Sequence, residues 1–167
     1  VLPALFDRVE RGLTVAYDDF ATGGAAAQAV TEDQAMADCE ASRLAVREAG
    51  RSAIIGYCWG GTLAYQAASL LGFDCAVSYY GGGIGALVGR LQPKIPVQYH
   101  FGAEDSFIPE AVIDKIREAD PDGEFYVYEG AGHGFNCDDR DSYDEVASKQ
   151  SEELAQAFLE RYLAAAG

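Results

Sequence analysis

The hexapeptide Gly56-Tyr57-Cys58-Trp59-Gly60-Gly61 limits what this chain can fold into more than any other stretch. Before it stands the apolar run Ala53-Ile54-Ile55-Gly56-Tyr57, too short for a helix and of the buried-strand type. After it comes a helical pattern through Leu63, Ala64, Ala67, Ala68 and Leu71, closed by Gly72. The chain must turn from strand to helix at Cys58, and glycines two before and two after it leave room for so sharp a turn. In such an elbow the cysteine takes a strained backbone conformation. Its sulfur then projects above the carboxyl end of the sheet, beside a helix N-terminus that favours thiolate. The backbone N–H of Trp59 is placed to receive an oxyanion. A packed cysteine in a glycine-rich turn is the other reading, and it is the one that suits Cys39 and Cys75.

The same alternation extends along the chain. Thr31-Glu32-Asp33-Gln34 fits a capping box. Ala35, Met36, Cys39 and Val46 then recur at helical spacing, to about Ala49, where Gly50 ends the helix. Cys75–Tyr80, Val97–Phe101 and Phe125–Tyr128 read as strands. Pro109 suits the first turn of a helix with Val112, Ile113 and Ile116 on one face. Ser142-Tyr143-Asp144-Glu145 opens a last helix with Ala147, Leu154, Phe158 and Tyr162 inward. Ala21–Ala29 reads as an exposed small-residue linker, and Gly81-Gly82-Gly83-Ile84-Gly85 as a flexible loop bordering the elbow. The latter lacks the third glycine and the following acid of a dinucleotide-binding loop. Strands alternating with helices predict one α/β domain over residues 1–167, with a parallel sheet of about four strands.

Lys and Arg total 12 against 27 Asp and Glu, a formal charge of −15. That balance opposes nucleic acid and anionic membrane surfaces as partners, so the expected partner is a small molecule. An anionic substrate would need a local cation. No apolar run reaches the roughly 18–20 residues that span a bilayer, and the N-terminus lacks a signal-peptide pattern, so the expected location is cytoplasmic. The four cysteines, Cys39, Cys58, Cys75 and Cys137, include no C-x-x-C pair, and His100 and His133 stand far apart. Neither a metal site nor a cofactor is expected.

A thiol nucleophile needs a base, and the base an orienting carboxylate. His133, in Gly130-Ala131-Gly132-His133-Gly134-Phe135, follows the fourth strand on the elbow side of the sheet. His100 lies inside an apolar strand and reads as a core histidine. Asp105 follows the third strand, with Glu104 as the rival acid and Asp138 and Asp139 as weaker ones. Cys58, Asp105 and His133 thus share one sheet edge, in the nucleophile–acid–histidine order of α/β-hydrolases.

The motifs GYCWGG, FGAEDSFIP and YEGAGHGF resemble the dienelactone hydrolase family, over nearly the whole chain. The resemblance implies a three-layer α/β-hydrolase-type sheet and hydrolysis of a carboxylate-bearing lactone or ester by Cys58, His133 as base and Asp105 as orienting acid. Pro3-Ala4-Leu5-Phe6-Asp7-Arg8 is similar to the family segment whose arginine grips the substrate carboxylate, which gives that role to Arg8. Two departures stand out. Cys137 occupies the position of a second arginine, four residues after the histidine. The family's earlier strands, with a second oxyanion N–H and an activating glutamate, have no counterpart here. The expectation is therefore an N-terminally shortened domain that works within a longer polypeptide or a homo-oligomer. A thioesterase, a general carboxylesterase and a non-catalytic scaffold are the alternatives.

Overall fold

The computed structural model describes residues 1–164, in which four strands alternate with helices. The order is α1 (Phe20–Ala29), α2 (Glu32–Val46), β1 (Ala53–Tyr57), α3 (Trp59–Leu70), β2 (Cys75–Tyr79), α4 (Ile84–Leu87), β3 (Val97–Gly102), α5 (Glu110–Ala119), β4 (Glu124–Tyr128) and α6 (Glu145–Leu163). Short 3-10 turns cover Leu5–Arg8 and Arg47–Ala49. The strands are all parallel and pair in sequence order, β1-β2-β3-β4.

Both sheet faces are covered, so the central strands β2 and β3 are buried throughout. Alternation assigns β3 side chains to two layers. Tyr99 meets Tyr65 of α3, ring centroids 6.4 Å apart, and donates its hydroxyl to Asp120 at the end of α5. Gln98 faces the opposite side, where its amide donates to the Leu154 carbonyl of α6. On that side the Tyr79 hydroxyl also donates to the Ser151 carbonyl of α6. The expected three layers are therefore present, with α6 on one face and α2, α3 and α5 on the other.

Three local expectations need correction. Ala21–Ala29 is not a loop but lies within α1. The Asp19 side chain caps it by accepting from the Thr22 N–H, and its alanines outweigh the two glycines. The last helix is capped by Asp144, which accepts from Ala147 N–H, two residues later than Ser142. The glycine run after β2 holds the single turn α4, pinned by buried Ile84 and Leu87. β1 forms one edge of the sheet, with Ile55 and Tyr57 44% and 47% exposed. Among the described residues no helix is long and apolar enough to cross a membrane.

Candidate active site

Cys58 sits between β1 and α3 with φ 55° and ψ −117°, in the left-handed half of backbone space that non-glycine residues rarely enter. Close packing imposes the turn. A Cβ on Gly56 would stand 1.8 Å from the Gly60 carbonyl oxygen, and one on Gly61 would stand 2.5 Å from the Tyr79 carbonyl oxygen. A Cβ on Gly60 would meet nothing within 4 Å. The glycine needed after the nucleophile is thus Gly61 rather than Gly60.

Two further loops converge on the elbow from the carboxyl ends of β3 and β4. A Cβ on Gly102 would lie 2.3 Å from the Ala131 carbonyl oxygen, so these loops touch through their backbones. The Ala103 N–H donates to Tyr128 O and the Glu104 N–H to Ala131 O, both at 2.9 Å. This clamp sets Asp105 against His133. Asp105 Oδ2 lies 2.7 Å from His133 Nδ1, and His133 Nε2 lies 3.1 Å from Cys58 Sγ. The other carboxylate oxygen accepts the Phe107 N–H at 2.8 Å, and the Asp105 side chain is fully buried. Glu104 takes no part in this chain of contacts.

Electrostatics favours charge separation between sulfur and ring. The hydrogen bond from His133 holds the Cys58 thiol below its ordinary value against the opposing effect of burial. The His133 charge, the Trp59 N–H and the Arg140 charge act in the same direction. Burial works against a charged His133, but hydrogen bonds to Asp105 and Cys58 outweigh it and hold the ring up to about 9. Burial pushes the Cys39 and Cys75 thiols the other way, to about 11, helped by the charges of Asp38 and Asp74.

The ring of His133 is held between two aromatics that no sequence motif singles out. Tyr80 lies 5.1 Å away and Phe107 meets the ring edge-on at 5.2 Å. Tyr80 itself has φ 38°, a second strained residue at the end of a site strand. Phe107 is 75% exposed and forms an apolar rim. Trp59 opens α3 and stacks on Phe6 at 6.0 Å. Arg8 is not brought to the triad: its guanidinium holds Asp38 of α2 in a two-pronged ion pair of 3.0 and 2.7 Å. His100 is buried with both ring nitrogens bonded, to the Tyr128 hydroxyl and to Gln98 Oε1. Among the described residues no group of three or more His, Cys, Asp or Glu converges to hold a metal ion.

The dienelactone hydrolase family model matches residues 1–163. The chain is 33% identical over 114 residues to a carboxymethylenebutenolidase of Pseudomonas putida, a match covering 66% of this chain and 48% of that protein. It is 38% identical over 90 residues to a carboxymethylenebutenolidase of Pseudomonas sp. strain P51, covering 52% and 37%. It spans about half the length of the curated relatives it matches. A crystal structure from Klebsiella pneumoniae that carries the dienelactone hydrolase name superposes with a TM-score of 0.76 at 26% identity, over 87% of this chain and 69% of that one. An esterase from Thermogutta terrifontis shares the fold at a TM-score of 0.61 and 21% identity, over 83% and 68%. The matched residues include all three loops that meet at Cys58, and the chain belongs to the dienelactone hydrolase family.

Proposed function

We propose that this chain hydrolyses small lactones or esters that carry a carboxylate, through a Cys58–His133–Asp105 triad and an acyl-enzyme. The observation that carries this reading is the continuous contact path from Asp105 Oδ2 through both ring nitrogens of His133 to Cys58 Sγ. The thiolate attacks the carbonyl carbon, a C–S bond forms, and the carbonyl π pair moves to oxygen, where the Trp59 N–H steadies it. Collapse breaks the C–O bond to the leaving alkoxide, which takes the His133 proton. In a lactone that alkoxide stays tethered to the acyl group. Neutral His133 then removes a proton from water as the water attacks the thioester, and the C–S bond breaks to return thiolate and acid. The relatives named for carboxymethylenebutenolide support a carboxylate on the substrate.

The test is hydrolysis of an activated ester, 4-nitrophenyl acetate, followed by a lactone panel. Cys58→Ala is expected to remove essentially all turnover, a loss of about a thousandfold or more, with an unchanged circular dichroism spectrum. Retention of most activity in that variant contradicts the proposal.

A further inference from the structure

Arg140 differs from every other arginine in the described part of the molecule. Arg8, Arg43, Arg51, Arg90, Arg117 and Arg161 each lie within 4.0 Å of a carboxylate. Arg11 and Arg47 are exposed, so water solvates them. Arg140 is half-buried, yet it has no carboxylate partner among the described residues, although Asp138, Asp139 and Asp141 surround it in sequence. Its Nε is buried without a hydrogen-bond partner, a state that native structures seldom keep without a reason. Its terminal nitrogens form no hydrogen bond with the described residues either.

The side chain is nevertheless held in place. Its guanidinium carbon lies 5.1 Å from the centre of the Phe20 ring on α1, and its backbone N–H donates to the Cys137 carbonyl at 3.1 Å. Nη1 lies 3.3 Å from where a Cβ on Gly134 would stand, and Gly134 follows His133 directly. The loop after β4 thus carries His133 and folds back to set a fixed, unneutralised cation beside it. That cation is near enough to favour the Cys58 thiolate and to oppose the upward push of burial on Tyr80.

We propose that Arg140 binds the anionic group of the substrate, its fork of terminal nitrogens receiving a carboxylate while the scissile carbonyl lies at Cys58. This assignment rests on the hydrolase reading above for the chemistry, and on the cation alone for the binding. A chain of net charge −15 repels anions at long range, so a carboxylate ligand needs a desolvated local cation. A planar guanidinium matches both carboxylate oxygens at once. Arg8, neutralised by Asp38, offers no such valence.

Two readouts test the proposal, one of which needs no turnover. Cys58 is alkylated with anionic iodoacetate and with neutral iodoacetamide, and the rate ratio is compared between wild type and Arg140→Gln. The ratio is expected to fall about tenfold, as loss of a charged hydrogen-bonded contact implies, and Arg140→Lys is expected to restore part of it. The ratio of kcat/KM for the monoanion 4-nitrophenyl hydrogen succinate to that for its methyl ester is expected to fall in parallel. Arg140→Met, which keeps the stem packed, replaces the glutamine variant if that one does not fold. An unchanged alkylation ratio overturns the proposal, as does a ratio that follows Arg8→Gln instead. A changed alkylation ratio in a protein that hydrolyses neither ester leaves the anion site standing and removes the hydrolase reading.

Discussion

Cys58 and His133 each favour the other's charged form. Their contact lowers the thiol and raises the imidazole together, so the two titrate as a pair. Iodoacetamide alkylation of Cys58 is therefore expected to stay fast as pH falls below the ordinary thiol range, and to fail only when pH passes through the lowered value. His133→Ala removes the main cause of the lowering, so the inflection of the alkylation profile is expected to move upward. An inflection unmoved by that change contradicts the pairing. Cys39 and Cys75, buried and raised to about 11, are expected to label far more slowly. Asp105→Asn is expected to slow ester hydrolysis substantially but less than Cys58→Ala, because the acid fixes the ring tautomer and does not react. Equal losses contradict that ranking. The three residues of this path were legible because each follows a strand at the same sheet edge. Tyr80, Phe107 and Arg140 were not, since a ring contact and a missing ion partner leave no periodic trace in sequence.

Among the elements, the β1–α3 elbow depends on backbone contact that only certain glycines permit. Gly56→Ala would force a methyl against the Gly60 carbonyl and is expected to cost about 4 kcal/mol or more in denaturant unfolding. Gly60→Ala, which meets open space, is expected to be neutral or to stabilise by up to about 1 kcal/mol. The reverse order of effects contradicts this account of the turn. Strand β3 carries a second expectation. Burial lowers His100 to about 3, so the unfolded chain binds a proton that the native ring refuses as pH falls below about 6.5. The stabilising effect of the neutral ring is present above that pH and is lost on descent toward about 3, at a slope of up to about 1.4 kcal/mol per pH unit. His100→Gln is expected to flatten this acid limb in urea titrations, and an unchanged slope argues against it. The strands were readable as short apolar runs between turn residues. Helix α1 was not, because its stability rests on alanine propensity and the Asp19 cap while only Ala26 is buried.

For the whole molecule, charge and sheet topology set the conditions in which the site works. A surface of −15 slows the approach of an anion, and raising ionic strength from about 0.01 to 0.15 M shortens the screening length from about 30 to about 8 Å. The kcat/KM for an anionic ester is accordingly expected to rise with salt relative to that for its neutral counterpart. A relative fall would mean that the local cation dominates the approach. The parallel α/β order was legible from alternation alone, whereas the edge position of β1 was legible only through the resemblance, which places the family's earlier strands beside it. Ile55 and Tyr57 face an apolar groove beside Leu159 and Leu163 of α6 at that edge. The most direct measurement of the central claim is mass analysis of wild-type protein quenched in acid during turnover of 4-nitrophenyl acetate. One acetyl group on the peptide containing Cys58, absent in Cys58→Ala, is the predicted result. Turnover without any acyl group on Cys58 would contradict the proposed mechanism.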